Sequence, residues 1–352
     1  MHEVLAWHRR HYPLMNAEDV VKLYFQGALG CGHLLADKAQ VTARIVQEEQ
    51  SLRADAAQPL TEELPGPYVR LYLARAMADG IFPVWIARLM ALSAAPASTR
   101  EEVMRALSSL DETSSCCDAE ALSAAAGKLS DDRWLPSHSA SYRNAYAPAY
   151  RVISRDMAML LPALQAIAEK MRRQSRVLLA IDGPCASGKT TYASNLSAVL
   201  GGAPVIHMDD FYTPHAQKTA ERLAQPGGNA DIERFCAEVL TPLLQHGQTS
   251  YRPYSCHLDR LMDPVEVPDA PVTIIEGAYS LHPKTGRPYD VTLFLSAPPA
   301  LQKERILRRN GEDGWISFRD RWIPLEKRYF DAFHLPDEGC IVLTSDSGSA
   351  ET

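Results

Sequence analysis

The stretch Gly183-Pro184-Cys185-Ala186-Ser187-Gly188-Lys189-Thr190 limits the fold more than any other part of the chain. A short apolar run, Val177-Leu178-Leu179-Ala180-Ile181, leads into it through Asp182, and a helical pattern with Tyr192, Leu196 and Leu200 follows. Strand, glycine-rich turn and helix in that order match the phosphate-loop pattern G-x-x-x-x-G-K-[ST]. Its glycines let the backbone curl so that successive N–H groups point inward, and the helix adds its positive N-terminal end. Phosphate oxygens are what such a cradle binds. Lys189 is placed to reach the β- and γ-phosphates and the Thr190 hydroxyl to meet Mg²⁺, with Thr191 continuing the helix.

Similar apolar runs recur at 204–208, 272–275, 291–295 and 341–344, separated by helical stretches near 189–200, 230–246, 299–310 and 319–333. Strands alternating with helices predict a parallel sheet with helices on both faces. The pattern before residue 172 is different and reads as helical, with no strand. Asn16 is placed to cap a helix with Glu18 and Asp19 in its first turn, and Pro67-Tyr68 opens another that stops at Gly80. Ser98–Glu102 offers a capping box, and one long helix is expected over 148–173, kinked at Pro162. The expected layout is an all-α domain over 1–172, an α/β phosphate-loop NTPase domain over 173–345, and a frayed tail over 346–352.

Charge and composition narrow the partners. Of 352 residues, 36 are Lys or Arg and 43 are Asp or Glu, and 36 − 43 gives a formal net charge of −7. That acidic balance argues against a dedicated nucleic-acid binder. No apolar run approaches the ~18–20 residues that span a bilayer, and the first residues lack the apolar core of a signal peptide. Seven cysteines without disulfide-like spacing suit reduced thiols in a cytoplasm. The expectation is a cytoplasmic protein with a small-molecule partner, neither nucleic acid nor membrane; self-association is left open.

Two further strands end in acids. His207-Met208-Asp209-Asp210-Phe211-Tyr212 closes one and Ile274-Ile275-Glu276-Gly277 the other. Carboxylates at the C-terminal edge of a parallel sheet open onto its ligand. One can accept the proton of an attacking hydroxyl and the other can hold a metal. The phosphate loop, the DDFY strand end and the EG-ending strand, in that order, resemble the uridine kinase and phosphoribulokinase group of P-loop small-molecule kinases. The resemblance covers about 176–345 and extends through NADIERFCAEVLTPLLQHGQTSYRPYSCH, YDVTLFLSAPPALQKERILRR and RWIPLEKRYFDAF.

That resemblance implies phosphoryl transfer from ATP, with Mg²⁺, to a hydroxyl of a small metabolite. It implies Asp209 as catalytic carboxylate, Asp210 as second candidate, and Glu276 with Thr190 and Asp209 at the metal. It also implies Arg305 and Arg308 on a lid helix over the transferring phosphoryl group, and Tyr254 in the acceptor pocket. Tyr212, Asn229, Asp231 and His257 are further acceptor candidates, although Asn229 is equally suited to capping a helix. The chain departs from the nucleoside kinases at Gly227–Asp231 and at Ser255, so uridine is not implied as the acceptor. A nucleotide-gated sensor ATPase, its helical half recognising a partner, is the rival reading. In that half, Gly27–His33 reads as a tight turn, and the aromatics and arginines of 134–151 read as domain-seam packing or a ligand pocket.

Overall fold

The computed structural model describes residues 2–31, 38–94, 119–127 and 136–345. The chain divides into two compact units, 1–161 and 162–352, not at 172/173. The long helix expected over 148–173 is a strand, Tyr150–Ser154, a short turn of helix and a separate helix, Leu161–Met171. Pro162 stands second in that last helix, where a missing N–H leaves no hydrogen bond unmade.

The N-terminal unit is helical in the main, with His2–His11, Ala17–Leu29, Lys38–Glu49, Leu73–Asp79, Pro83–Leu92, Ala119–Gly127 and Ala140–Tyr146. Asn16 caps as expected: its side chain accepts from the Glu18 N–H, and Asp19 accepts from the Asn16 N–H. Gly80 ends Leu73–Asp79 at φ +77°. The capping box at 98–102 and Trp134, like Gly32 and His33, lie outside the described residues.

An antiparallel sheet corrects the all-α expectation. β1 (Thr61–Glu63), β2 (Tyr68–Tyr72) and β3 (Tyr150–Ser154) run in that order, with Leu71 opposite Thr61 and Arg151. All five residues of β2 are buried, so the period-two alternation that marks a half-exposed strand is missing. Arg70 lies among them, 1% exposed, with its guanidinium on Glu62 Oε1 (2.7 Å) and Gln26 Oε1 (2.9 Å) and over the Tyr150 ring. Asp19, His138 and Ser139 form the adjoining cluster. Tyr142, His138 and Tyr150 thus pack inside this unit.

The second unit carries the expected sheet. Its strands are β4 (Val177–Asp182), β5 (Val205–His207), β10 (Val272–Glu276), β11 (Val291–Ser296) and β12 (Ile341–Thr344), all parallel, in the order β12-β11-β4-β10-β5. Every residue of β4 and β10 is buried, which is why both read as unbroken apolar runs. Between β5 and β10 the chain makes two short antiparallel pairs that the sequence reading lacked. β6 (Thr249–Tyr251) pairs with β9 (Val265–Val267), and β7 (Tyr254–Ser255) with β8 (Arg260–Leu261). Phe211, Phe235 and Tyr251 pack together beside Ile206 and Ile275 and fix the loop after β5.

Candidate active site

Three strands deliver the site. Register sets Glu276 at the end of β10 beside Ile181 of β4 and His207 of β5, so all three chains turn off the sheet at one edge. After β4 the loop turns at Gly183, φ +142°, where a Cβ would lie 2.1 Å from the Leu295 carbonyl oxygen. Only glycine fits there. Ala186 is also held at φ +55°, backbone strain of a kind that collects at functional loops.

Lys189 begins the helix Lys189–Leu200 and turns its ammonium back onto the carbonyls of Gly183 and Pro184, 2.9 Å each. The Thr190 hydroxyl donates to Glu276 Oε1 at 3.2 Å, and His207 Nδ1 lies 2.5 Å from the same oxygen. That hydrogen bond raises the His207 pKa above the ordinary imidazole range. Thr190 and Glu276 are adjacent hard oxygen donors, the set Mg²⁺ takes from protein when phosphates and water complete its shell. The residues present therefore fit the ion.

A cavity of about 390 Å³ opens on this edge, lined by Lys189, Thr190, Asp209, Tyr212, Asn229 and Glu276 among others. Asp209 and Asp210 are separated by geometry. Asp209 faces the cavity, with Oδ1 accepting from the Tyr212 hydroxyl at 2.9 Å. Asp210 accepts instead from Tyr251 at 2.9 Å, burial raises its carboxyl, and it does not line the cavity. Asn229 is 3% exposed and lines the cavity, whereas Asp231 caps Ile232–Phe235 by accepting from the Arg234 N–H. The capping question is answered by the neighbour two residues on.

Other acceptor candidates fall elsewhere. The Tyr254 hydroxyl is occupied by Asp259 and the His215 N–H, and His257 is exposed; neither lines the cavity, where Cys256 stands instead. Arg305 donates to the Ala186 carbonyl at 3.1 Å and to Ser345, bracing the phosphate loop from behind. Arg308 is half exposed beside Glu304, and Arg309, on the same helix Pro299–Ser317, lines the cavity.

Sequence reasoning missed several lining residues. Glu326, 7% exposed on the helix Ile323–Phe333, accepts from the Cys185 N–H at 2.8 Å, a phosphate-loop amide. Burial raises its carboxyl and pushes the Cys185 thiol well up, so that thiol stays protonated. Lys218, Arg321 and Trp322 also line the cavity. Glu326 and Trp322 lie over 130 residues from the loop, in a helix whose apolar stripe gives no local sign of a site.

A parallel sheet with a phosphate loop after its central strand, and acids on neighbouring strand ends, defines a P-loop nucleotide-binding α/β domain. No family model matches the chain. Over 187 residues, 46% of this chain and 76% of the relative, it is 25% identical to a nicotinamide riboside kinase of Saccharomyces cerevisiae. A possible uridine kinase from Bacillus stearothermophilus aligns over 52% of this chain and 99% of its own, at 23% identity and TM-score 0.39. A proposed fructose transport system kinase from Silicibacter sp. TM1040 aligns over 53% and 98%, at 23% identity and TM-score 0.42. The resemblance read from the motifs is to small-molecule kinases, and the curated relative is a kinase by name. Among the described residues, no helix is long and apolar enough to cross a membrane.

Proposed function

We propose that this chain is an ATP-dependent kinase that transfers the γ-phosphoryl group to a hydroxyl of a small metabolite. The observation that carries the reading is the cavity itself. Its lining includes Lys189, Thr190, Glu276 and Asp209, which supports assigning them to phosphate, metal and acceptor hydroxyl. Tyr212 holds Asp209 Oδ1, so Oδ2 is left to take the acceptor's proton. Lys189 leaves the Gly183 and Pro184 carbonyls to meet the phosphates, and Arg309 faces the charge that spreads over the transferring group. Mg²⁺, when bound by Thr190 and Glu276, supplies charge neutralisation on the phosphate oxygens. Positioning and electrostatics then provide most of the acceleration. The five described cysteines are free thiols, in keeping with a cytoplasmic site of action.

The test is ADP production from Mg·ATP across nucleosides, pentoses, sugar acids and sugar phosphates, with Lys189→Ala as blank. An acceptor that raises the rate well above the blank supports the reading. A flat panel with ATP binding intact favours a sensor ATPase.

A further inference from the structure

Unsatisfied hydrogen-bonding capacity and cations without an ion-pair partner meet in the lining of the cavity. Asn229 is buried to 3% exposure, yet its side-chain Oδ1 has no hydrogen-bond partner and the residue lines the cavity. A buried carbonyl in that state is costly unless a ligand supplies a donor. A hydroxyl is the donor that suits a position shared with Asp209.

The Arg321 guanidinium lies 4.6 Å over the Trp322 ring, and the Lys218 ammonium is 6.0 Å from that ring and 5.9 Å from Tyr212. Neither cation is paired with a carboxylate among the described residues. None of the cavity's acids pairs with these two cations: Asp209 Oδ1 accepts from Tyr212, Glu276 accepts from Thr190 and lies beside His207, and Glu326 accepts from the Cys185 amide. Desolvation holds the Lys218 ammonium below its ordinary pKa and Arg321 nearby adds to that, while Cys256 and Asp259 oppose it; an anion between the two cations would offset the Arg321 repulsion. The nucleotide's phosphates have cations of their own in Lys189 and Arg309.

We propose that the acceptor is a small hydroxylated anion, a carboxylate or a phosphate ester. Its charge is held by Lys218 and Arg321 beside Trp322, and its reacting hydroxyl is oriented by Asn229 towards Asp209. This rests on the kinase reading above and narrows it. A cationic acceptor would meet two unpaired positive charges and be rejected.

Steady-state kinetics with Mg·ATP test this, comparing sugar acids, sugar phosphates, neutral sugars and nucleosides, and the cation nicotinamide riboside. The highest kcat/KM is expected for an anion, and comparing the acids with the phosphate esters identifies which. Lys218→Ala and Arg321→Ala should each raise KM for that acceptor about 10-fold or more, the loss of a hydrogen bond to a charged group. KM for ATP should stay within about two-fold, which also shows that each variant is folded. A neutral or cationic acceptor with the highest kcat/KM, or variants that raise KM for ATP and spare the acceptor, would overturn the proposal and leave the kinase reading standing. If no acceptor of any charge lifts ADP release above Lys189→Ala, the kinase reading itself fails.

Discussion

Both units bury polar side chains, but to opposite ends. In the N-terminal unit the cluster around Arg70 and Asp19 is paired within itself, although His8 Nδ1, the Tyr24 hydroxyl, Glu49 Oε1 and Gln58 Oε1 are buried there without a hydrogen-bond partner. Arg70 meets Glu62 and Gln26, Asp19 accepts from Ser139 and faces His138, and His138 reaches the Tyr150 hydroxyl. Around the cavity of the second unit they are held part-satisfied. Asn229 Oδ1 has no partner, Lys189 rests on loop carbonyls, and Asp209 keeps one oxygen free of Tyr212. A histidine, an acid and a tyrosine in contact are therefore not by themselves a site. What separates structure from function is whether the group opens onto a space that a ligand can fill.

The contrast can be broken most forcefully at Asp209. Asp209→Asn should lower kcat by about 10²–10⁴, the usual worth of a positioned general base, with ATP affinity held; calorimetric titration and turnover on the same sample check both. Near-normal turnover would return the base to another group. Next comes Arg70, whose removal strands Glu62 in the core. Arg70→Met should cost about 3–5 kcal/mol in denaturant unfolding, and adding Glu62→Gln should recover part of it.

A pH effect of intermediate size is expected from His8 and His138. Burial holds both down to about 4, against an ordinary 6.5 in the unfolded chain. The unfolded state therefore takes up protons that the folded state refuses. Their contribution is complete above about pH 6.5 and is lost as pH falls towards 4, by about 1.4 kcal/mol per histidine per pH unit. Calorimetric melting between pH 7 and 5 should show this fall, and His138→Gln should flatten it. The smallest effect is at Asp231. As a helix cap, Asp231→Ala should cost about 1 kcal/mol of stability and leave the acceptor's KM unchanged; a raised KM would put Asp231 back in the pocket.

The same contrast explains what the sequence made legible. The five parallel strands could be read because each is a continuous apolar run, and Asp209 and Glu276 because each directly follows or ends one. Tyr68–Tyr72 was hidden by the same rule: a strand buried on every residue, with Arg70 inside it, loses its alternation. Asp210, Asp231, Tyr254 and His257 sit near the cavity in sequence but turn to Tyr251, a helix end, Asp259 and solvent. Those directions are set by packing after the chain folds. Glu326, Trp322 and Lys218 arrive from distant segments, and only the tertiary fold brings them to the phosphate loop.

Transfer of a phosphoryl group to a bound hydroxyl, as proposed, differs from hydrolysis of ATP in where the phosphorus ends up. Phosphorus NMR of a turnover mixture with the best acceptor tests it directly. Phosphorylated acceptor equal in amount to the ADP formed, and lost in Asp209→Asn, is the expected result. Inorganic phosphate matching ADP mole for mole, with the acceptor unchanged, would contradict it.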